Sequence, residues 1–312
     1  MSSPSKFAAL LLALSLGACA APQQCRVERI SDLPLTKTRD FALLPARLND
    51  VDARLLLDTG AGATMLSRAL ADRLALMPDH QMFPSPVNGI GGVTLTRRMV
   101  VESFRIGALD LGKQSVMITE QGLFGGFDPP PDGIIGGDFL SHFDADIDLP
   151  ANHVTLYRAH PCAAAFAPPW PGATIYRLPA RMTDGGQFLV TVTVDGVAIT
   201  AMIDSGAETT AISSRVENRL GLTPAMLAND PQRAEIGIDM HRRLSYLHHF
   251  HAIRIGAEIF PDSAVWVSDM PLVPADMLLG ADFFQTHRVW LSFSRRTVFV
   301  AVAGNGGNQT PR

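Results

Sequence analysis

The sequence predicts an all-β protein built from two similar halves. A set of short motifs recurs in the same order in both halves, and the segments between turn signals alternate or run apolar, as strands do. Helical periodicity is short, over residues 68–76 and 215–222. Many strands with short helices indicate all-β halves rather than alternating β-α-β units. The length of 312 residues suffices for two domains that each bury a core.

The repeat is centred on an aspartate that an apolar strand delivers into a glycine turn. Its two copies, 146 residues apart, are Leu56-Leu57-Asp58-Thr59-Gly60-Ala61 and Met202-Ile203-Asp204-Ser205-Gly206-Ala207. Before each copy, residues 41–57 and 188–203 carry a turn signal between two apolar stretches. This pattern predicts a β-hairpin that leads into each aspartate.

Matched elements also follow each aspartate in the same order. Glycines interrupt a strand pattern at Ile90-Gly91-Gly92 and at Ile236-Gly237-Ile238, where they permit a hairpin to bend. A hydrophobic-hydrophobic-glycine element then occurs at Ile134-Ile135-Gly136 and at Leu278-Leu279-Gly280. The aspartates that follow these elements, Asp138 and Asp282, are expected to cap short helices rather than to catalyse.

These elements divide the chain into six segments. We expect a signal peptide over residues 1–18, a tether over 19–34, a first lobe over 35–160, a proline-rich linker over 161–179, a second lobe over 180–303 and a disordered tail over 304–312.

From residue 41 to residue 302 the sequence resembles the retropepsin-like aspartic peptidases of clan AA, in a tandem bacterial form. The resemblance rests on the two Asp-(Thr/Ser)-Gly-Ala turns and on the two hydrophobic-hydrophobic-glycine elements. It implies two β-barrel lobes that pair around a central cleft, each lobe contributing one aspartate. Retroviral members pair two chains, whereas the tandem repeat implies that this protein is active as a single chain.

The resemblance implies that Asp58 and Asp204 are the catalytic residues of an aspartic endopeptidase. Two carboxyl groups a few ångströms apart share one proton, so one activates a water molecule while the other protonates the peptide carbonyl oxygen. The polypeptide substrate is the expected partner, and no metal or cofactor is required. The active-site turns that support this chemistry comprise Thr59, Gly60, Ala61, Ser205, Gly206 and Ala207.

The sequence leaves two rival functions open. A catalytically inactive peptide-binding lipoprotein on the same fold would also carry the repeat, and a second possibility is an enzyme whose halves pair between chains. Considered alone, each aspartate also suits an Asx turn between two strands. Duplication of the whole context around both aspartates argues against simple Asx turns, and the presence of both aspartates favours the endopeptidase, since a binding protein has no need of two facing carboxylates.

The glycine hairpins are interpreted as two flaps that close over an extended substrate, with ordinary surface hairpins as the alternative. The second flap is the weaker prediction because it contains only one glycine. Four arginines follow the hairpins and would either favour acidic substrate side chains or form a solvated strand face, the simpler explanation. They are Arg97, Arg98, Arg242 and Arg243.

Two further classes of ligand are not expected. His248, His249 and His251 are a local cluster of potential metal ligands, but alternation places only the last two on one strand face, so we predict an exposed face and no metal. A formal net charge of −4 provides no basic footprint for nucleic acid.

The N-terminus predicts export. Lys6 precedes an apolar stretch over residues 7–16 that is too short to span a bilayer. The following Leu16-Gly17-Ala18-Cys19 resembles a bacterial lipobox, which implies a lipid anchor at Cys19 in the periplasm or cell envelope and no other membrane contact. An ordinary secretory cleavage site and a cytoplasmic chain with an apolar leader are the alternatives.

Two cysteines remain after the predicted cleavage site. In an oxidising compartment we expect Cys25 and Cys162 to form one disulfide, with two unpaired buried thiols as the alternative.

Overall fold

The computed structural model describes residues 27–80, 85–89, 92–119, 124, 127–160, 166–236 and 242–302. Strands dominate and helices are short, so the predicted all-β class is confirmed. The predicted signal peptide and tail lie outside the described residues, as do Cys19, Cys25 and Cys162.

Among its described residues, the first half contains twelve strands and two short helices. The strands are β1 (Val27–Pro34), β2 (Thr36–Thr38), β3 (Phe41–Leu48), β4 (Val51–Leu57), β5 (Met65–Ser67), β6 (Met77–Pro78), β7 (Ser85–Gly89), β8 (Gly92–Ile106), β9 (Leu109–Thr119), β10 (Gly133–Ile135), β11 (Asp144–Asp148) and β12 (His153–Ala159), and the helices are α1 (Arg68–Arg73) and α2 (Gly137–Leu140).

In the part of the second half that the structure describes, there are ten strands, two short helices and a 3₁₀ turn. The strands are β13 (Tyr176–Met182), β14 (Phe188–Val194), β15 (Val197–Ile203), β16 (Ala211–Ser213), β17 (Gln232–Ile236), β18 (Arg242–Ile255), β19 (Glu258–Ser268), β20 (Met277–Leu279), β21 (His287–Ser292) and β22 (Thr297–Val302); the helices are α3 (Pro224–Leu227) and α4 (Ala281–Thr286), and the 3₁₀ turn is Ser214–Val216.

Each half folds into a six-stranded barrel, as the resemblance implied. The first barrel follows the order β3-β4-β10-β5-β9-β8 and closes through a β3–β8 pairing. The second follows β14-β15-β20-β16-β19-β18 and closes through β14–β18. The two orders correspond strand by strand, so the repeated sequence elements occupy the same places in both barrels.

The hairpin before each aspartate forms as predicted. Leu48 pairs with Val51 around Asn49 and Asp50, whose φ values are 45° and 65°. In the second lobe Val194 and Val197 pair in the same way around a turn of Asp195 (φ 45°) and Gly196 (φ 84°). Two successive residues with positive φ are typical of the type I′ turn, which favours Asn, Asp and Gly and matches the twist of the strands.

A third sheet joins the two halves. Its six strands run in the order β1-β12-β11-β21-β22-β13, so each half contributes three. The central pair is antiparallel and joins Ala145 to Leu291 and Ile147 to Val289. Both pairs are fully buried, which makes this sheet part of the main hydrophobic core.

The third sheet corrects two expectations from the sequence. Residues 27–34, assigned to the tether, form strand β1 and pair with β12. Residues 176–179, assigned to the linker, belong to β13 and pair with β22. In both cases the pairing partner is distant in the sequence, so local composition alone gave no sign of it.

The helical segments are shorter than their periodicity predicts. In the first lobe Arg68–Arg73 forms an α-helix with Ser67 as its N-cap. The equivalent segment of the second lobe forms only a 3₁₀ turn over Ser214–Val216. The first segment is rich in alanine and leucine, whereas the second contains serine, valine and asparagine, which favour the helix less.

Candidate active site

The two aspartates lie at corresponding positions in the two barrels. Asp58 directly follows β4, and its N–H donates to the carbonyl oxygen of Ile135 at 3.1 Å. Asp204 follows β15, and its N–H donates to the carbonyl oxygen of Leu279 at 2.9 Å. In each lobe the hydrophobic-hydrophobic-glycine strand runs parallel to the strand before the aspartate and so fixes where the turn begins.

The glycine turns supply backbone donors to both carboxylates. Oδ1 of Asp58 accepts the N–H of Gly60 at 3.0 Å and that of Ala61 at 2.9 Å. Oδ1 of Asp204 accepts equivalent bonds from Gly206 at 2.9 Å and Ala207 at 3.2 Å. These bonds orient both carboxyl groups and favour their charged forms.

The turns place the two carboxyl groups against each other. The Asp58 and Asp204 side chains are hydrogen-bonded to one another. Each glycine leaves room for the opposite carboxyl group: a Cβ at Gly60 would overlap the Asp204 carboxyl, and one at Gly206 would overlap that of Asp58. Both positions therefore require glycine for steric reasons.

Two hydroxyl groups cross-link the turns reciprocally. Oγ1 of Thr59 donates to the carbonyl oxygen of Ile203 at 2.8 Å and accepts the N–H of Ser205 at 3.0 Å. Oγ of Ser205 donates to the carbonyl oxygen of Leu57 at 2.7 Å and accepts the N–H of Thr59 at 3.1 Å. Both side chains are buried, so these four bonds fix the spacing of the two lobes at the dyad.

The surroundings keep a proton on the pair. Burial raises the pKa of both aspartates, and the neighbouring Asp204 charge raises the pKa of Asp58 further, well above its ordinary value. The backbone N–H bonds act in the opposite direction and do not cancel the effect of burial. Because the two groups share a hydrogen bond, they titrate as one unit.

Comparison with protein families agrees with this geometry. A family model described as aspartyl protease matches residues 44–139, and one described as gag-polyprotein aspartyl protease matches residues 190–286. The chain belongs to the aspartyl protease family, in a tandem retropepsin-like form. Each matched segment contains one aspartate of the dyad and its hydrophobic-hydrophobic-glycine partner. No curated protein matches the chain.

In this tandem aspartyl protease fold, Asp138 and Asp282 brace the active-site loops and do not occupy the N-cap position, which belongs to Gly136 and Gly280. Oδ1 of Asp138 accepts the N–H of Thr64 at 2.8 Å and its hydroxyl at 2.6 Å. Asp282 holds Thr210 in the same way, with a hydroxyl bond of 2.7 Å. The expectation that these aspartates cap helices is therefore corrected.

Thr64 and Thr210 also bind the glycine of the hydrophobic-hydrophobic-glycine element in their own lobe. Thr64 Oγ1 accepts the N–H of Gly136 at 3.2 Å, and Thr210 Oγ1 accepts that of Gly280 at 3.1 Å. Burial raises the pKa of Asp282. The similar spacing of the two pairs in the sequence, 74 residues for Thr64–Asp138 and 72 for Thr210–Asp282, was the available signal for this role.

Contacts between the lobes form a further group that the sequence did not reveal. The side-chain amide of Gln187 in the second lobe donates to the carbonyl oxygen of Gly60 at 3.2 Å. In the other direction, Arg39 of the first lobe forms a 3.0 Å ion pair with Glu208, four residues after Asp204. Each lobe thus supports the active-site turn of the other.

The predicted flap hairpins are present up to their tips. Gly89 pairs with Gly92 in the first, and Ile236 pairs with Arg242 in the second. Ile90, Gly91, Gly237 and Ile238 lie outside the described residues. Whether the hairpins act as flaps stays a prediction.

The histidines point in different directions. His248 is largely buried and its Nδ1 lies 2.7 Å from Oδ2 of Asp230, whereas His249 is exposed beside Asp262. Across the described ranges, no cluster of three metal-ligating side chains occurs. Within the same residues, no helix has the length and apolarity to cross a membrane.

Proposed function

We propose that the protein is an aspartic endopeptidase that hydrolyses peptide bonds with Asp58 and Asp204 as its catalytic dyad. The observation that carries this proposal is the hydrogen bond between the two carboxyl groups, each of which sits in its own glycine turn. A pair whose raised pKa retains one proton supplies a base and an acid at the same place.

The proposed reaction needs one water molecule between the carboxyl groups. The ionised member takes a proton from the water, and the water oxygen attacks the peptide carbonyl carbon. The protonated member gives its proton to the carbonyl oxygen, which forms a neutral tetrahedral intermediate. When the intermediate collapses, the C–N bond breaks and the protonated aspartate gives its proton to the leaving nitrogen. The ionised aspartate takes a proton from a hydroxyl group of the intermediate, whose oxygen becomes the carbonyl oxygen of the new carboxyl group, so the dyad again carries one proton.

The fixed geometry around the dyad supports this chemistry. The Thr59 and Ser205 cross-links and the turn N–H groups hold both carboxyl groups before substrate arrives, so little reorganisation accompanies the reaction. Both aspartates belong to one chain, and we propose that the single chain is the active unit.

Export and anchoring are part of the same proposal. The apolar stretch over residues 7–16 and the lipobox-like sequence that ends at Cys19 support a periplasmic or cell-envelope enzyme held by a lipid. Its substrate would then be an exported polypeptide within reach of the membrane.

A cleavage assay tests the proposal. The full chain, expressed with its own N-terminus and purified in detergent, is incubated with an unfolded, fluorescently labelled protein between about pH 4 and pH 7.5. We expect cleavage, and we expect Asp58→Asn and Asp204→Asn each to reduce kcat by a factor of about 10³ or more, since either change removes the shared proton chemistry.

A matched variant controls for folding. Asp184→Asn changes an exposed aspartate close to the interlobe contact of Gln187 and should leave the rate unchanged. An inert wild-type protein that still binds peptides would favour the peptide-binding lipoprotein instead. Activity that sediments only with a dimer would contradict the single-chain proposal.

A further inference from the structure

The second lobe has an arginine beside its active-site loop that the dyad chemistry does not use. Arg233 lies on β17, the first strand of the second glycine hairpin, and pairs with Ser245 of β18. Its guanidinium carbon lies 3.9 Å from the centre of the Trp266 ring. Its Nη2 donates to Oγ1 of Thr209 at 2.7 Å. Arg233 therefore joins the hairpin to the loop that follows Asp204.

These contacts place the guanidinium group against the active-site loop of the second lobe. Thr209 is five residues after Asp204, and its backbone lies against Gly280. Trp266 packs on the same apolar cluster as Ala207, whose N–H binds the Asp204 carboxylate. The Trp266 ring and the Thr209 hydroxyl together hold the guanidinium beside the loop.

The first lobe provides an internal comparison. The strand registers and the repeat place Ser85, Ala63 and Met117 at the positions of Arg233, Thr209 and Trp266. None of the three is charged or aromatic. The two lobes therefore differ in the residue types at this group of positions although their strand orders correspond.

We propose that Arg233 selects substrates that carry an acidic side chain on the part of the peptide lying against the second lobe. This inference rests on the proposed peptidase function and names a specificity that the dyad alone does not provide. A planar guanidinium matches a carboxylate better than an ammonium does, because two parallel N–H···O bonds form. An uncharged amide of the same size would lose most of that interaction.

Matched peptides test the selectivity. A set of peptides carries Glu or Gln at each position on either side of one scissile bond, and kcat/KM is measured for every pair. We expect the wild-type protein to prefer Glu at one position by about tenfold or more, mainly through KM. In Arg233→Gln the Glu-to-Gln ratio should fall to about 1 at that position, and in Arg233→Glu it should fall below 1 because the introduced carboxylate repels an acidic side chain.

Two variants control for structure. Arg254→Gln removes an exposed arginine further along β18 and should preserve the wild-type ratio. Arg233→Lys retains the positive charge without the planar fork and should keep part of the preference. A Glu-to-Gln ratio in Arg233→Gln equal to that of the wild type at every position would overturn the proposal.

A binding measurement separates this inference from the proposed function. The same peptides are titrated into Asp58→Asn and into Asp58→Asn with Arg233→Gln, with tryptophan fluorescence as the readout. Arg233-dependent binding without cleavage by the wild type would support the subsite and contradict the peptidase. Cleavage of the Glu and Gln peptides at equal rates would support the peptidase and contradict the subsite. If the protein neither bound nor cleaved any of the peptides, both proposals would be overturned.

Discussion

Asp58 and Asp204 have almost the same local surroundings, and their mutual contact makes them titrate as one pair. Each accepts two N–H groups from its own turn, yet burial raises the pKa of both, and proximity to Asp204 raises that of Asp58 further. The raised pKa values have a consequence for stability as well as for catalysis. A carboxyl group that resists ionisation when folded opposes folding at any pH where the unfolded chain ionises it.

The dyad should therefore destabilise the protein as the pH rises. Below the ordinary aspartate pKa of 3.8 the carboxyl groups are protonated in both the folded and the unfolded protein. In this range the unfolding free energy of the wild type is highest relative to that of Asp58→Asn. As the pH rises from there through the raised pKa of the pair, the wild type should lose stability relative to Asp58→Asn. The loss amounts to about 1.4 kcal/mol for each pH unit by which the pKa is raised.

Urea denaturation of both proteins across this pH range measures the effect. Asp52→Asn, which changes a side chain that is 87% exposed, is the matched control and should track the wild type. A constant difference in unfolding free energy between wild type and Asp58→Asn at all pH values would contradict a raised pKa for the pair.

The sequence identified the dyad residues because their signal is local. Asp, Thr or Ser, Gly and Ala occur together in both copies, and each type has a steric or hydrogen-bonding reason to be there. The bracing roles of Asp138 and Asp282 were missed because their partners Thr64 and Thr210 lie more than 70 residues away. A repeat shows that two positions correspond but does not show what they contact.

At the scale of elements, the hairpins and their turns were predictable and β1 was not. Its sequence Val-Glu-Arg-Ile-Ser-Asp-Leu-Pro carries charges at three of eight positions, so it resembles a solvated tether. In the fold it pairs with β12, and only part of it is buried. Strand formation here depends on a partner far along the chain, which local composition does not report.

The β1–β12 pairing sharpens the prediction of a disulfide. Val27 is opposite Ala159, and Cys25 and Cys162 lie two residues before and three residues after this pair in the sequence. Because both cysteines lie within three residues of this paired position in the sequence, we propose a Cys25–Cys162 bond between the segment before β1 and the segment after β12.

Mass spectrometry of the exported protein, digested without reduction, should show the two cysteine peptides joined. Cys25→Ser, with Cys162→Ser as the matched variant, should lower the unfolding free energy by about 2 to 4 kcal/mol under oxidising conditions. The difference from wild type should disappear when both proteins are reduced. Free thiols at both positions in the exported protein would contradict the bond.

At the scale of the whole molecule, the third sheet joins the lobes through an ion pair whose carboxylate is buried and whose arginine is partly exposed. Asp146 of β11 is 1% exposed and accepts two bonds from Arg288 of β21, at 2.8 and 2.6 Å. The indole N–H of Trp170 donates to the same carboxylate at 3.1 Å. A carboxylate of the first half and a guanidinium of the second half thus form a charged, hydrogen-bonded pair at the junction.

Removing Arg288 should weaken the junction strongly. In Arg288→Met the Asp146 carboxylate keeps only the Trp170 bond, and we expect a loss of about 2 to 4 kcal/mol in unfolding free energy, measured by urea denaturation. The double variant Asp146→Leu with Arg288→Met should recover part of this loss because no buried charge remains.

An exposed ion pair in the same sheet provides the control. Glu28 and Arg158 are both more than half exposed, so Arg158→Met should cost at most about 1 kcal/mol. Equal losses in Arg158→Met and Arg288→Met would show that the buried pair has no special role in joining the lobes.

The central position of the β11–β21 pair has a consequence for each half taken alone. A half cut from the chain would present a bare strand edge that is antiparallel to its missing partner and related to it by the internal repeat. Such an edge is a template for a second copy of itself, which opens routes to a symmetric dimer and to aggregation. Because the two halves belong to one chain, the edges of β11 and β21 pair with each other and are not exposed to other copies of the protein.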